Sequence, residues 1–350
     1  MTRKTSARDR LVAGRAEFRD ALLAWYRAAR RPLPWRESTS AYGTVVSEFM
    51  LQQTRVATVL TYFGRWMSAL PDFAALAAAP EATVLKLWEG LGYYSRARNL
   101  HRLAKSVAPA PELPRSSGGW RELPGVGPYT AAAIASIAFG EASACVDGNV
   151  VRILARLTRD GTAYRDSASA SRAFSPLAQE LVNPGAPGDH NQAMMELGAT
   201  VCLRRRPSCL ICPVRGFCAA AKAGDPEAYP RLEPRRIERR SVVRVWCERR
   251  GAVLLHRNAP GARRLADLHE LPTAQQAGLD PASASTGPLV ARRSRGITRF
   301  RIVESIHSAR HPGGRLGPGL VWVRLGDLDS IALSGPHRRW MTQILSARNA

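Results

Sequence analysis

Four cysteines, Cys202, Cys209, Cys212 and Cys218, crowd into the stretch CLRRRPSCLICPVRGFC with the spacing C-x6-C-x2-C-x5-C. Thiols packed that densely argue for a metal centre over disulfides, the more so because the basic start MTRKTSARDR has no apolar run and no secretory signal is expected. All-cysteine sites suit zinc or an iron–sulfur cluster. Zinc generally uses two close C-x-x-C pairs, and one is present. Cys145 and Cys247 stand alone and are expected as buried core thiols. Arg204, Arg205 and Arg206 fill the loop between the first two candidate ligands, with Arg215 beyond. They read equally well as phosphate contacts or as a solvated face.

Two carboxylates sit where their surroundings should tune them differently. Glu48 lies in VVSEFML, among Val45, Val46, Phe49, Met50 and Leu51. That setting predicts burial, a pKa above the usual carboxylate range and the role of a proton donor. Asp147, in VDGNVVR, precedes a predicted helix. Read alone it is an N-cap; amide donors and the helix dipole there should keep it ionised. Between them, LPGVGPYTAAAI carries Gly125 and Gly127 in a tight turn and Pro128 at a first helical position. Bare amides at such a helix start can hold a phosphate without a side chain.

The elements that must position these groups are mostly helical. An amphipathic helix is predicted over 8–30, two prolines break the chain at 30–40, and helices separated by short turns run from 43 to about 200. After the connector YPRLEPRRIERRS come β-branched segments: SVVRVWCE, GAVLLHR, ITRFRIVESIH and GLVWVRL. The 350 residues suffice for two domains, each with its own core. Lys+Arg less Asp+Glu is 51 − 28 = +23, which suggests a polyanionic partner, nucleic acid first. Only Lys4, Lys86, Lys105 and Lys222 are lysines, an imbalance attributed chiefly to base composition. No apolar run is long enough to span a membrane, so a cytoplasmic, nucleoid-associated monomer is expected, with no membrane partner.

The turn LPGVGPYTAAAI, the aspartate of VDGNVVR and the cysteine segment together resemble the endonuclease III superfamily of base-excision DNA glycosylases. Within it, LPWR (33–36), VSEFMLQQTRVATV (46–59), WEGLGYYSRARNLH (88–101) and NQAMMELGA (191–199) resemble the MutY-type adenine glycosylases. The resemblance implies a mainly α N-terminal catalytic region, a helix-hairpin-helix glycosylase with a [4Fe-4S] module, plus a smaller α+β C-terminal domain of Nudix/MutT-like fold. The expected division is a basic tail 1–10, a glycosylase domain 11–230 with the cluster segment 202–218, a linker 231–241 and a recognition domain 242–350.

For the site, the resemblance implies that Glu48 protonates adenine, that Asp147 stabilises the cationic sugar, and that Tyr129 and Asn149 support them. Arg36 would line the base pocket. Gln53 and Tyr93 would fill the gap beside the lesion. Cys202, Cys209, Cys212 and Cys218 would hold the cluster. The implied partner is double-stranded DNA with A opposite 8-oxoguanine or G. Tyr129 stands where strand-cutting relatives carry a Schiff-base lysine, so base removal without strand cutting is expected. In the second domain RRLADLHELP and ITRFRI look like the family's counterparts. No REVxEE-type cluster is present, so pyrophosphate hydrolysis is not expected. Ile297, Thr298 and Arg299 occupy the place of a Phe-Ser-His reading loop, and Thr298 keeps the hydroxyl while the histidine is gone.

Overall fold

The computed structural model describes residues 6–37, 40–234, 236–262, 265–297, 299–311 and 313–348. The chain divides into two compact units, 1–78 with 102–234, and 79–101 with 235–350.

The first unit is helical. The predicted helix over 8–30 is two, Ala7–Ala13 and Arg15–Ala29, parted at Gly14. The expected tail 1–10 therefore ends in ordered helix, because Ser6 and Asp9 form a reciprocal capping box at its start. Phe18, Leu22 and Tyr26 of the second helix join Val150, Leu154 and Leu197 in one core. Helix Ala41–Leu51 is buried along 42–50, on every face. The stretch DSASASRAFS begins the helix Ser167–Leu181, capped by Asp166. Gly198 has no room for a side chain: a Cβ there would stand 2.5 Å from that of Asn149, so glycine is what lets Pro187–Thr200 approach the helix that begins at Gly148.

In the second unit the predicted strands form. Glu238–Trp246 runs parallel to Phe300–Ser308, which pairs antiparallel with Leu289–Ile297. A second sheet centres on Ala252–Arg257, flanked by Leu320–Arg324 and by the short His269–Glu270 and Glu248–Arg249. The closing helix Gly335–Arg348 supplies Trp340, Met341 and Ile344 to the core. That core also holds charge. Arg244 and Arg295 both pair with the fully buried Glu304. His337 bonds Glu270 at 3.2 Å. Burial pushes the Glu270 carboxyl up, but His337, Arg244 and Arg295 outweigh it and hold it down at about 2.

Residues 79–101, expected with the glycosylase domain, belong to this second unit. The Tyr94 hydroxyl donates to the Leu333 carbonyl at 3.0 Å, and Arg338 pairs with Glu89. Among the described residues, no helix is long and apolar enough to cross a membrane.

Candidate active site

Helix Ala41–Leu51 presents Thr44, Ser47, Glu48 and Leu51, at i, i+3, i+4 and i+7, to one cavity of about 210 Å³. Tyr129, in the first turn of helix Pro128–Phe139, forms part of the opposing lining, as do Asp147 and Asn149. Helix Pro187–Thr200 adds Gln192, Met195, Glu196 and Ala199. The sequence thus brings Glu48, Asp147, Tyr129, Asn149 and Arg36 to one place. Among the described residues, no lysine lines it.

Glu48 is 6% exposed. Burial pushes its carboxyl up to about 7; the Tyr129 hydroxyl pulls the other way and the Asp147 charge adds to the rise. At neutral pH a large fraction is therefore protonated. The single Tyr129 O–H also has Met195 Sδ within reach as an alternative acceptor at 3.3 Å, and burial raises this phenol well above the usual range.

Asp147 caps the helix Gly148–Thr158. One carboxylate oxygen accepts from the amides of Asn149 at 2.9 Å and Val150 at 2.8 Å. The other accepts from Asn149 Nδ2 at 2.9 Å. The helix terminus does not by itself win, however. Burial moves this carboxyl upward from its usual range, against those three hydrogen bonds and the Arg152 charge. The sequence leads one to expect Asp147 to stay ionised; the hydrogen bonds that favour the anion are present, and burial works against them. Glu48, whose rise is opposed by a single hydroxyl, remains the better acid. Arg152 donates to Asn149 Oδ1 at 2.9 Å and to the Cys202 carbonyl at 2.8 Å, which fixes the asparagine from behind.

Arg36 lines the cavity, yet its charge is not loose. It donates to Glu196 at 2.9 Å, beside Arg31 at 2.7 Å, and Glu196 is fully buried. Burial pushes Glu196 up, but the two guanidiniums hold its carboxyl below the ordinary range. Neither Arg31 nor Glu196 is among the residues the sequence marks for the site. The available signal was spacing: Gln192, Met195, Glu196 and Ala199 repeat at helical intervals within NQAMMELGA.

Gly125 adopts φ +78° in the turn, the left-handed region, and exposed Gly127 caps the next helix with Pro128 at its first position. The first-turn amides have no intrahelical acceptors, which is the geometry a phosphate seat requires. Gln53 does not line the cavity. It stands exposed in the turn after Leu51 with φ +58°. Tyr93, in the second unit, is 45% exposed at φ +48°, with the Arg96 guanidinium 5.6 Å over its ring. Thr298 lies outside the described residues.

Cys202, Cys209, Cys212 and Cys218 line one small cavity. They do not converge on a single-ion site among the described residues. Burial and the neighbouring thiols push Cys212 up to about 11. Arg156, 2% exposed, donates to Cys202 Sγ at 3.2 Å and to the backbone carbonyls of Tyr229, Leu203 and Arg204, with no carboxylate partner among the described residues. Four cysteines ringing a space, with a buried cation aimed at one sulfur, fit an anionic thiolate-bound centre.

Residues 46–176 match the HhH-GPD superfamily of base excision DNA repair proteins. The chain is 48% identical to the adenine DNA glycosylase of Homo sapiens over 227 residues, 62% of this chain and 41% of that one. It is 40% identical to the adenine DNA glycosylase of Mycolicibacterium smegmatis, over 59% of this chain and 70% of that one. Among solved structures, a thermostable thymine-DNA glycosylase superposes with a TM-score of 0.53 at 28% identity, covering 60% of this chain and 98% of that one. The chain spans about two fifths of the length of its human relative.

Proposed function

Because the chain belongs to the adenine DNA glycosylases of the HhH-GPD superfamily, we propose that it removes adenine from double-stranded DNA by hydrolysing the N-glycosidic bond. The observation that carries this is the pairing on one cavity of a buried Glu48, pushed up to about 7, with Asp147 held by three hydrogen bonds. Neutral adenine is a poor leaving group. Glu48 delivers a proton to it as the bond between sugar and base breaks, and the bonding electron pair leaves with the base. The sugar becomes oxocarbenium-like, and the Asp147 carboxylate stabilises that cation until water adds. The base must leave the stack to enter so recessed a cavity.

With Tyr129 at the helix start and no lysine on the described cavity wall, no amine attacks the sugar, and the product is an abasic site. Cys202, Cys209, Cys212 and Cys218 would hold a [4Fe-4S] cluster, and Cys202 and Cys209, at the two ends of the arginine-rich loop 203–208, would steady that loop for phosphate contact. The mixed sheet and closing helix of the second unit support a Nudix-like domain that reads 8-oxoguanine or G opposite the adenine. Thr298 and Arg299 would sit in its reading loop.

Single-turnover reaction with a duplex carrying A opposite 8-oxoguanine tests the reading. Strand breaks appearing only after alkali are expected. Breaks without alkali would point to a lyase, and tight binding without base release would overturn the enzyme reading. Iron and sulfide analysis of the purified protein tests the cluster.

A further inference from the structure

Thr44 is 2% exposed and lines the candidate active-site cavity one helical turn before Glu48. Its hydroxyl is buried and has no hydrogen-bond partner. This is unusual for a helical threonine, whose hydroxyl ordinarily bonds a carbonyl three or four residues back. Here the Ser40 carbonyl accepts the Thr44 amide at 2.9 Å, as in any helix, and the hydroxyl adds no second bond to it. The other hydroxyl on this face, Ser47, turns inward to the Thr44 carbonyl at 3.0 Å. Glu48 is committed to the proton. Thr44 thus holds the one unused hydroxyl that this helix face offers to the cavity.

A buried polar group without a partner costs the free protein stability, and such groups are rare unless something else satisfies them. The cavity has volume for roughly seven waters, or for a base in their place. We propose that Thr44 Oγ1 hydrogen-bonds the extruded base, as a base-contacting and specificity-determining group on the same helix face as the acid. A hydroxyl can donate or accept, so it suits the edge of a purine, which carries both kinds of group. Its position one turn from Glu48 lets it hold the base in register with the proton donor. The inference rests on the glycosylase reading above.

The test compares wild-type protein with Thr44→Val and Thr44→Ser in single-turnover base release from an A-containing duplex, alongside thermal melting. Valine keeps the shape and removes the hydroxyl; serine keeps the hydroxyl. Release by Thr44→Val is expected to slow about tenfold, the loss of one neutral hydrogen bond. Thr44→Ser should stay within about twofold of wild type. The melting temperature of Thr44→Val should be equal or higher, since an unsatisfied polar atom is gone. A Thr44→Val protein that melts normally and releases adenine at the wild-type rate overturns the inference alone. A Thr44→Ser protein as slow as Thr44→Val does so too, because shape rather than the hydroxyl would then matter. A wild-type protein that releases no adenine sinks the inference together with the reading beneath it.

Discussion

Glu48 couples chemistry to stability through one number. In the unfolded chain its carboxyl titrates at about 4.3; in the fold, burial moves it to about 7. The folded state therefore holds the proton more tightly. Below about pH 4 both states are protonated and nothing is lost. Stability falls as pH rises from about 4.3 to about 7, and the full cost, on the order of 3 kcal/mol, persists above. Glu48→Gln should accordingly melt higher than wild type at pH 8 and equally at pH 4, which calorimetry at the two pH values would check. The same substitution should slow base release about 10²- to 10⁴-fold. Wild-type release should decline as pH rises through about 7, while the residual Glu48→Gln rate stays flat. Glu48 was readable in advance because its apolar neighbours are local. The resistance to ionisation at Asp147 was not, since it comes from burial by elements far away in the chain.

At the scale of elements, the site depends on how closely two helices approach. Gly198 lets Pro187–Thr200 come down upon Asn149, whose amide holds one oxygen of Asp147. Gly198→Ala would push aside Asn149, itself part of the cavity lining, while leaving Glu48 and Asp147 in the sequence. Base release should drop at least tenfold while the circular dichroism stays that of wild type; an unaltered rate would mean that Asn149 need not hold the aspartate. Most helices and strands were legible, because hydrophobic period and capping residues are short-range signals. Strands in SVVRVWCE and GAVLLHR formed where the pattern put them. The break at Gly14 and the pairing of Arg31 and Arg36 with Glu196 were not legible. The first turns on a local cap that a continuous helical period hides, and the second joins residues about 160 positions apart in an arginine-rich chain.

For the whole molecule the net charge of +23 favours a polyanionic partner, which on the proposed function is DNA. Affinity for a duplex carrying an uncleavable adenine analogue should fall linearly with salt on logarithmic axes. Replacing Arg204, Arg205 and Arg206 together by Gln should flatten that slope by about one unit per arginine that meets a phosphate; an unchanged slope would return the loop to the solvated face. The division of the chain makes a second prediction. Ending the protein at Pro234 removes Leu333 and Arg338, the partners of Tyr94 and Glu89. Amide hydrogens within 81–98 should then exchange faster than in the full chain, and equal protection would contradict the grouping. Composition could not have shown this, because WEGLGYYSRARNLH reads as one more helix-and-turn stretch. The same grouping has a consequence in time. Residues 79–101 leave the ribosome before the 133 residues that separate them from 235. At about 5–20 residues per second, roughly 7 to 27 seconds pass before the rest of that unit begins to be made. The contacts of Tyr94 with Leu333 and of Glu89 with Arg338 thus join residues made far apart in time, and a chaperone has that interval in which to hold the earlier ones.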